Sequence, residues 1–224
     1  MAFEGWPALC VCGLAAEAAV ARRAGFAAIV GGGDAGLTAR RLKAALPGAG
    51  CLISFGIAGG LDPGLGSGTV VLSGEVIGEA ARWRGSDAWL RRIDGLAREI
   101  GAAAGPVFGA ERIVAGAEDK RRLRTETGAA AVDLESAIVA RAGAENGIPF
   151  VVLRAIADAA TRDLPAAALI PLNAEGRPRI GRVLASAMAR PGQLPALTAL
   201  ARDSRRALAA LAAPASALSD LLSA

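Results

Sequence analysis

The sequence predicts an α/β protein in which one sheet is covered by helices on both faces. Its 224 residues suffice for one large domain, 1–224, with a well-buried core. Strand-like runs that are apolar on every residue, such as Cys51–Phe55 and Phe150–Ile156, alternate with helix-like runs almost throughout. The hydrophobic fraction of 53% fits strands buried on both sides, yet no run approaches the roughly 18 uninterrupted apolar residues of a membrane span.

In order, Leu9–Gly13 reads as a first strand, followed by an alanine-rich helix to Arg23. The N-terminus carries Glu4 and no basic segment, so it reads as the approach to that strand rather than as a signal peptide. Ala27–Val30 is a second strand, and Leu37–Leu46 a helix ended by Pro47-Gly48. Cys51–Phe55 leads into the glycine-rich GIAGG, and Thr69–Leu72 and Glu75–Gly78 are two strands split by Ser73-Gly74. Asp87–Ala103 has helical spacing with Asp87 as its N-cap. Pro106–Gly109 is a short strand, Glu118–Glu126 a helix, and Ala130–Asp133 a further strand. A helix over Leu134–Glu145 closes near Asn146-Gly147 before the strand Phe150–Ile156. Leu164–Pro178 has little periodicity, Pro195–Leu211 is helical, and the tail 214–224 is expected to be frayed or to lie on a surface.

Composition excludes several functions. The net charge of +4 is almost all arginine, with Lys43 and Lys120 the only lysines, and the arginines are scattered. Nucleic-acid grooves need clustered charge and aromatic stacking platforms, and aromatics are only 4% here. There is no histidine, and Cys10, Cys12 and Cys51 sit in apolar strands. No second cysteine pair completes a metal site with Cys10-Val11-Cys12, so these thiols read as core residues and no metal is implied. A cytoplasmic protein follows as the default.

Two glycine loops stand out. GGGDAG (31–36) formally fits G-x-G-x-x-G, but the region twenty residues on, around Phe55, lacks the acid that would hold a ribose. SFGIAGGLDPG (54–64) follows a buried strand at its carboxyl end, where open α/β sheets bind ligands and glycine lets backbone N–H groups approach closely. Two carboxylates complete the pattern: Glu135 opens an apolar helix, and Asp158 follows a buried strand.

Together, GIAGGLDPGLGSGTVVL, AVDLESAIVA and PFVVLRAIADAA resemble the nucleoside phosphorylase and nucleosidase superfamily, in family order and spacing over about residues 8 to 160. The resemblance implies a single-domain three-layer αβα fold with a central mixed, twisted sheet flanked by helices. It implies cleavage of the N-glycosidic bond of a small-molecule adenine nucleoside. Asp158 matches the acid that protonates N7 of the departing purine, and Glu135 the glutamate that binds the ribose hydroxyls. Leu134 packs under the sugar, Ile113 and Val114 flank the base, and Ile57, Ala58 and Gly59 line the site. Glu17 matches the catalytic glutamate of the first loop, although the register equally allows Ala18.

That chemistry needs an acid still protonated near neutral pH, which the apolar neighbours Ile156, Ala157, Ala159 and Ala160 would make of Asp158. Glu135 has the opposite task, and a helix N-terminus would keep it ionised. Asp133 reads as a turn or capping group. Phosphorylases of this family hold phosphate with an arginine three residues before a serine or threonine; Ser54 and Ile57 stand there instead, which leans towards water as nucleophile. Arg22, Arg40, Arg112 or Arg154 could still contact phosphate, so phosphate stays open as a co-substrate, and no other cofactor is implied.

The segment 164–203 resembles the hopanoid-associated phosphorylases, assigned to removal of adenine from adenosylhopane. This implies a lipid-linked nucleoside and a peripheral membrane contact, with Trp83, Trp89 and the apolar final third furnishing a groove, while the superfamily resemblance implies a homo-oligomer whose interface takes part of this surface. A soluble nucleoside such as methylthioadenosine or adenosylhomocysteine, or a non-catalytic nucleoside-binding module, are the alternatives.

Overall fold

The computed structural model describes residues 7–223, so the opening segment with Glu4 lies outside the described residues. The elements are β1 (Ala8–Cys12), α1 (Ala15–Arg23), β2 (Ala27–Val30), α2 (Ala35–Ala45), β3 (Cys51–Gly60), β4 (Val70–Ser73), β5 (Glu75–Gly78) and β6 (Arg82–Arg84). They continue with α3 (Asp87–Ile100), β7 (Val107–Gly109), α4 (Ala117–Thr127), β8 (Ala131–Asp133), α5 (Ser136–Asn146), β9 (Phe150–Asp158), α6 (Ile180–Ala189), α7 (Leu194–Ala210) and α8 (Ala212–Ser223).

All strands form one mixed sheet in the order β2-β1-β3-β8-β7-β5-β6, with β9 beside β3 and β4 beside β9. β3 is the hub. Its first half pairs parallel with β1, β9 runs parallel to it from Leu52 to Gly59, and Gly59–Gly60 pair antiparallel with β8. A register shift between Ala58 and Gly59 marks the changeover. Such irregularities re-aim side chains and recur beside active sites.

The expected layering follows from strand alternation. Cys10, Cys12, Val151, Leu153 and Ala155 face one cluster with Ala18, Ile93, Ala207 and Leu218, from α1, α3, α7 and α8. Leu9, Val11, Phe150, Val152 and Ile156 face the other, with Leu42 of α2 and Val139 of α5. Successive residues of one strand thus enter opposite layers, which is why the runs are continuously apolar. The three cysteines are free and buried in the first layer. No helix among the described residues is long and apolar enough to cross a membrane.

Several expectations need correction. The tail is not frayed: α8 buries Pro214, Ala215, Leu218 and Leu222, because its apolar face completes the layer over α1 and α3. Trp89 is largely buried and its Nε1 donates to Phe150 O at 2.7 Å, while with Trp83 it lines a groove of about 510 Å³ formed with Gly143 and Ile148 rather than with the final third of the chain. Trp83 stacks under Arg141, 5.9 Å from the ring centre. Ser86, not Asp87, caps α3 by accepting from the Trp89 N–H. The GGGDAG loop turns through positive φ at Gly32 and Gly33, and Asp34 then caps α2 by accepting from the Leu37 N–H. A carboxylate therefore already occupies the helix N-terminus that a dinucleotide phosphate would need.

Candidate active site

Four side chains meet around the β3 segment Ile57–Gly59. Glu17 comes from the first turn of α1, Glu135 from the N-cap of α5, and Arg154 and Asp158 from β9. In register, Arg154 lies opposite Gly56 and Asp158 opposite Gly59.

Glu17 turns into this cluster, while Ala18 packs into the core. Glu17 Oε2 accepts the N–H groups of Gly13 (2.9 Å) and Leu14 (2.8 Å), and Oε1 accepts the Ile57 N–H (2.8 Å). Residue 56 must be glycine: a Cβ there would stand 2.3 Å from Glu17 Cδ, at a φ of +149°. Likewise, a Cβ on Gly13 would stand 2.8 Å from Glu135 Oε1, so this glycine lets the second carboxyl approach β1. Burial raises the Glu17 carboxyl above its ordinary value, against Arg154 and the three backbone donors.

Arg154 is only 1% exposed. Its Nη2 donates to Ser54 Oγ (2.6 Å) and Glu135 Oε2 (3.1 Å), and its Nη1 to Ile57 O (3.3 Å). Nε lies 2.7 Å from Asp133 Oδ2 without forming a hydrogen bond, so that contact is electrostatic. Burial would lower the guanidinium, but Asp133, Glu135 and Glu17 outweigh it and hold it above its ordinary value. Arg154 is thus committed to carboxylates and is not free for phosphate. Ser54 is buried within the same network, 2.8 Å from Ser136 Oγ.

Asp133 caps α5 as expected. Its Oδ1 accepts the N–H groups of Glu135 (3.2 Å) and Ser136 (2.9 Å), and its Oδ2 accepts the Ser136 hydroxyl. The expectation for Glu135 is corrected. Its side chain makes no cap hydrogen bond, and burial pushes it up to about 7, against Arg154 and with Asp133 and Glu17 adding to the rise. Several carboxyls around one guanidinium in a dry site favour retained protons over a helix-terminus anion.

Asp158 is buried, and burial raises it as expected. Its surroundings are not wholly apolar, however. Lys120 of α4, itself 0% exposed, places Nζ 2.5 Å from Asp158 Oδ2 and opposes that rise. Ala58 lies in the core beside Ile156. Leu134 and Val114 pack on one cluster with Leu61, Phe108 and Val132, while Ile113 is exposed. A groove of about 620 Å³ opens there, lined by Gly78, Phe108, Arg112, Ile113 and Val114. Sequence reasoning missed Lys120, hidden in the charged run EDKRRLR. It named Arg154 only as a phosphate contact, although a lone charge inside VVLRAIA was a usable signal.

A family model described as the Phosphorylase superfamily matches residues 30–189. Among solved structures, the chain is similar to the 5′-methylthioadenosine/S-adenosylhomocysteine nucleosidase of Neisseria meningitidis in complex with methylthio-immucillin-A. The two are 18% identical over 97% of this chain and 99% of that one, with a TM-score of 0.65. It is also similar to the S-adenosylhomocysteine nucleosidase of Streptococcus pyogenes (14% identity, 96% and 98% covered, TM-score 0.63). The futalosine hydrolase of Helicobacter pylori is a third (17%, 92% and 96%, TM-score 0.60). These similarities establish a shared fold.

Proposed function

The chain belongs to the phosphorylase superfamily, and on that premise we propose that it hydrolyses the N-ribosidic bond of an adenine nucleoside. The observation that carries this reading is the convergence of Glu17, Glu135, Arg154 and Asp158 on one segment of β3.

In this reading Asp158, whose hold on its proton burial strengthens, gives that proton to purine N7 as the C1′–N9 bond breaks. The bonding electrons pass to adenine, and positive charge develops on the ribosyl ring. Glu135 accepts hydrogen bonds from the sugar hydroxyls, and Leu134 packs beneath them. Water attacks C1′ and gives up a proton to Glu17, leaving adenine and a free sugar. Phosphate is disfavoured because Arg154, the buried cation of this cluster, is already engaged by Asp133 and Glu135. Side chains alone carry the chemistry, without a metal or organic cofactor.

The names of the solved neighbours support a soluble 5′-substituted adenine nucleoside, such as methylthioadenosine or adenosylhomocysteine; a cytoplasmic homo-oligomer is part of the same proposal. A second reading, adenosylhopane, is favoured by α6. Its Ile180, Leu184 and Met188 form a ridge that is 61%, 57% and 78% exposed, flanked by Arg177, Arg179, Arg182 and Arg190. Such a face would rest on anionic lipid and deliver a lipid-linked substrate.

The test is adenine release from methylthioadenosine, adenosylhomocysteine and adenosylhopane, each with and without phosphate. Phosphate-independent release with a free sugar is expected. A sugar 1-phosphate would overturn the choice of water. Binding of adenine without turnover on any substrate would leave a binding module.

A further inference from the structure

We propose that Lys120 is a positioning residue for Asp158, holding one carboxyl oxygen and the turn behind it while the other oxygen carries the proton to the purine. This rests on the reading of Asp158 as the acid.

α4 is strongly polar, and Arg121 and Arg122, next to Lys120, are solvent-exposed. Lys120 points the other way, into the site. Its Nζ donates to Asp158 Oδ2 (2.5 Å), Ala159 O (3.2 Å) and Arg162 O (2.9 Å). An ammonium has three donors, and all three are used. They tie the carboxyl to the turn that follows β9 and leave Asp158 Oδ1 unclaimed. Burying an ammonium is costly, and an apolar side chain of similar length would fill the same space without that cost. Packing alone does not explain a lysine here.

The chemistry supplies a reason. As N7–H forms, the Asp158 O–H bond breaks, and the electrons of C1′–N9 pass to the base. Lys120 keeps all its protons. Before transfer it faces a neutral acid, and afterwards it faces an anion at 2.5 Å. Its attraction is therefore stronger once the proton has moved, which is the form of interaction that accelerates a step rather than merely binding a substrate. The same charge keeps burial from making Asp158 too weak an acid. Other charges near Asp158 are few. Arg162 comes from the following turn and is tied to Asp203 of α7 at 2.5 Å, and the Glu17–Glu135–Arg154 cluster lies further back along β3. Gly59 of β3 and Val132 of β8 bring no charge.

The experiment compares wild type, Asp158→Asn, Lys120→Met and Lys120→Arg in the adenine-release assay across pH. Asp158→Asn should remove most turnover; if it does not, the reading of the acid fails, whatever Lys120 does. Given that loss, Lys120→Met should lower kcat by about 100-fold with little change in KM. Activity needs the protonated acid and is lost as pH rises through its pKa. Removing the nearby cation should move that limb up by about one pH unit, and Lys120→Arg should restore its position. A folded Lys120→Met enzyme with unchanged kcat and pH profile would overturn the proposal alone. Should Lys120→Met fail to fold, wild-type protein labelled with ¹⁵N-lysine decides. Lys43, exposed and the only other lysine, is assigned by Lys43→Arg. Adenine should shift the protected Lys120 ammonium signal; an unmoved signal at saturating adenine would overturn the proposal.

Discussion

Replacing Glu135 by glutamine should stabilise the protein at alkaline pH while impairing turnover. Burial moves the Glu135 carboxyl from 4.5 to about 7. The native protein therefore holds a proton there that the unfolded chain releases near 4.5. The stability from that proton is complete below pH 4.5 and is lost as pH rises through about 7. At about 1.4 kcal/mol per pH unit, the interval amounts to about 3 kcal/mol. Glutamine cannot ionise, keeps an oxygen for Arg154 Nη2, and leaves Asp133 beside the guanidinium. The variant should lie within about 1 kcal/mol of wild type at pH 5 and exceed it by about 3 kcal/mol at pH 8. For a chain of this length that is a gain of about 5–10 °C in Tm. Calorimetry at the two pH values measures it, with adenine release followed in parallel. A variant no more stable than wild type at pH 8 would refute the reasoning, because it would mean that Arg154 and the helix terminus hold the anion at no net cost.

Gly56→Ala should cost activity without contact to substrate. Its Cβ would lie 2.3 Å from Glu17 Cδ, and withdrawing that carboxylate by about 1 Å should lower kcat about 100-fold. Leu218→Ala should destabilise by about 2–5 kcal/mol in urea unfolding, because α8 buries this side chain completely. A loss under about 0.5 kcal/mol would instead fit an exposed tail.

The architecture was legible because a strand covered on both faces must be apolar at every position. Phe150–Ala157 obeys this so fully that a single arginine interrupts it, and every residue of the strand to Asp158 is buried. The carboxyl pair was legible through motifs that join each acid to its neighbours in sequence. α6 and α8 were not. Alanine-rich segments carry weak periodicity; the helicity of α8 is supported by the layer against which it docks, while α6 buries only Ala187.

The charge states of the site were decided by tertiary structure. Sequence shows Glu135 beside a helix start and Asp158 among alanines, and local chemistry then suggests an anion and a neutral acid. Neither Arg154 beside Glu135 nor Lys120 beside Asp158 is a sequence neighbour; separations of 19 and 38 residues are closed only when β9 lies between β3 and β4 and Lys120 of α4 reaches the end of β9. Residue order alone therefore determined the layers and which acids are present. Proton affinity depends on solvent exclusion and on charges a few ångströms away, and those distances exist only in the folded chain.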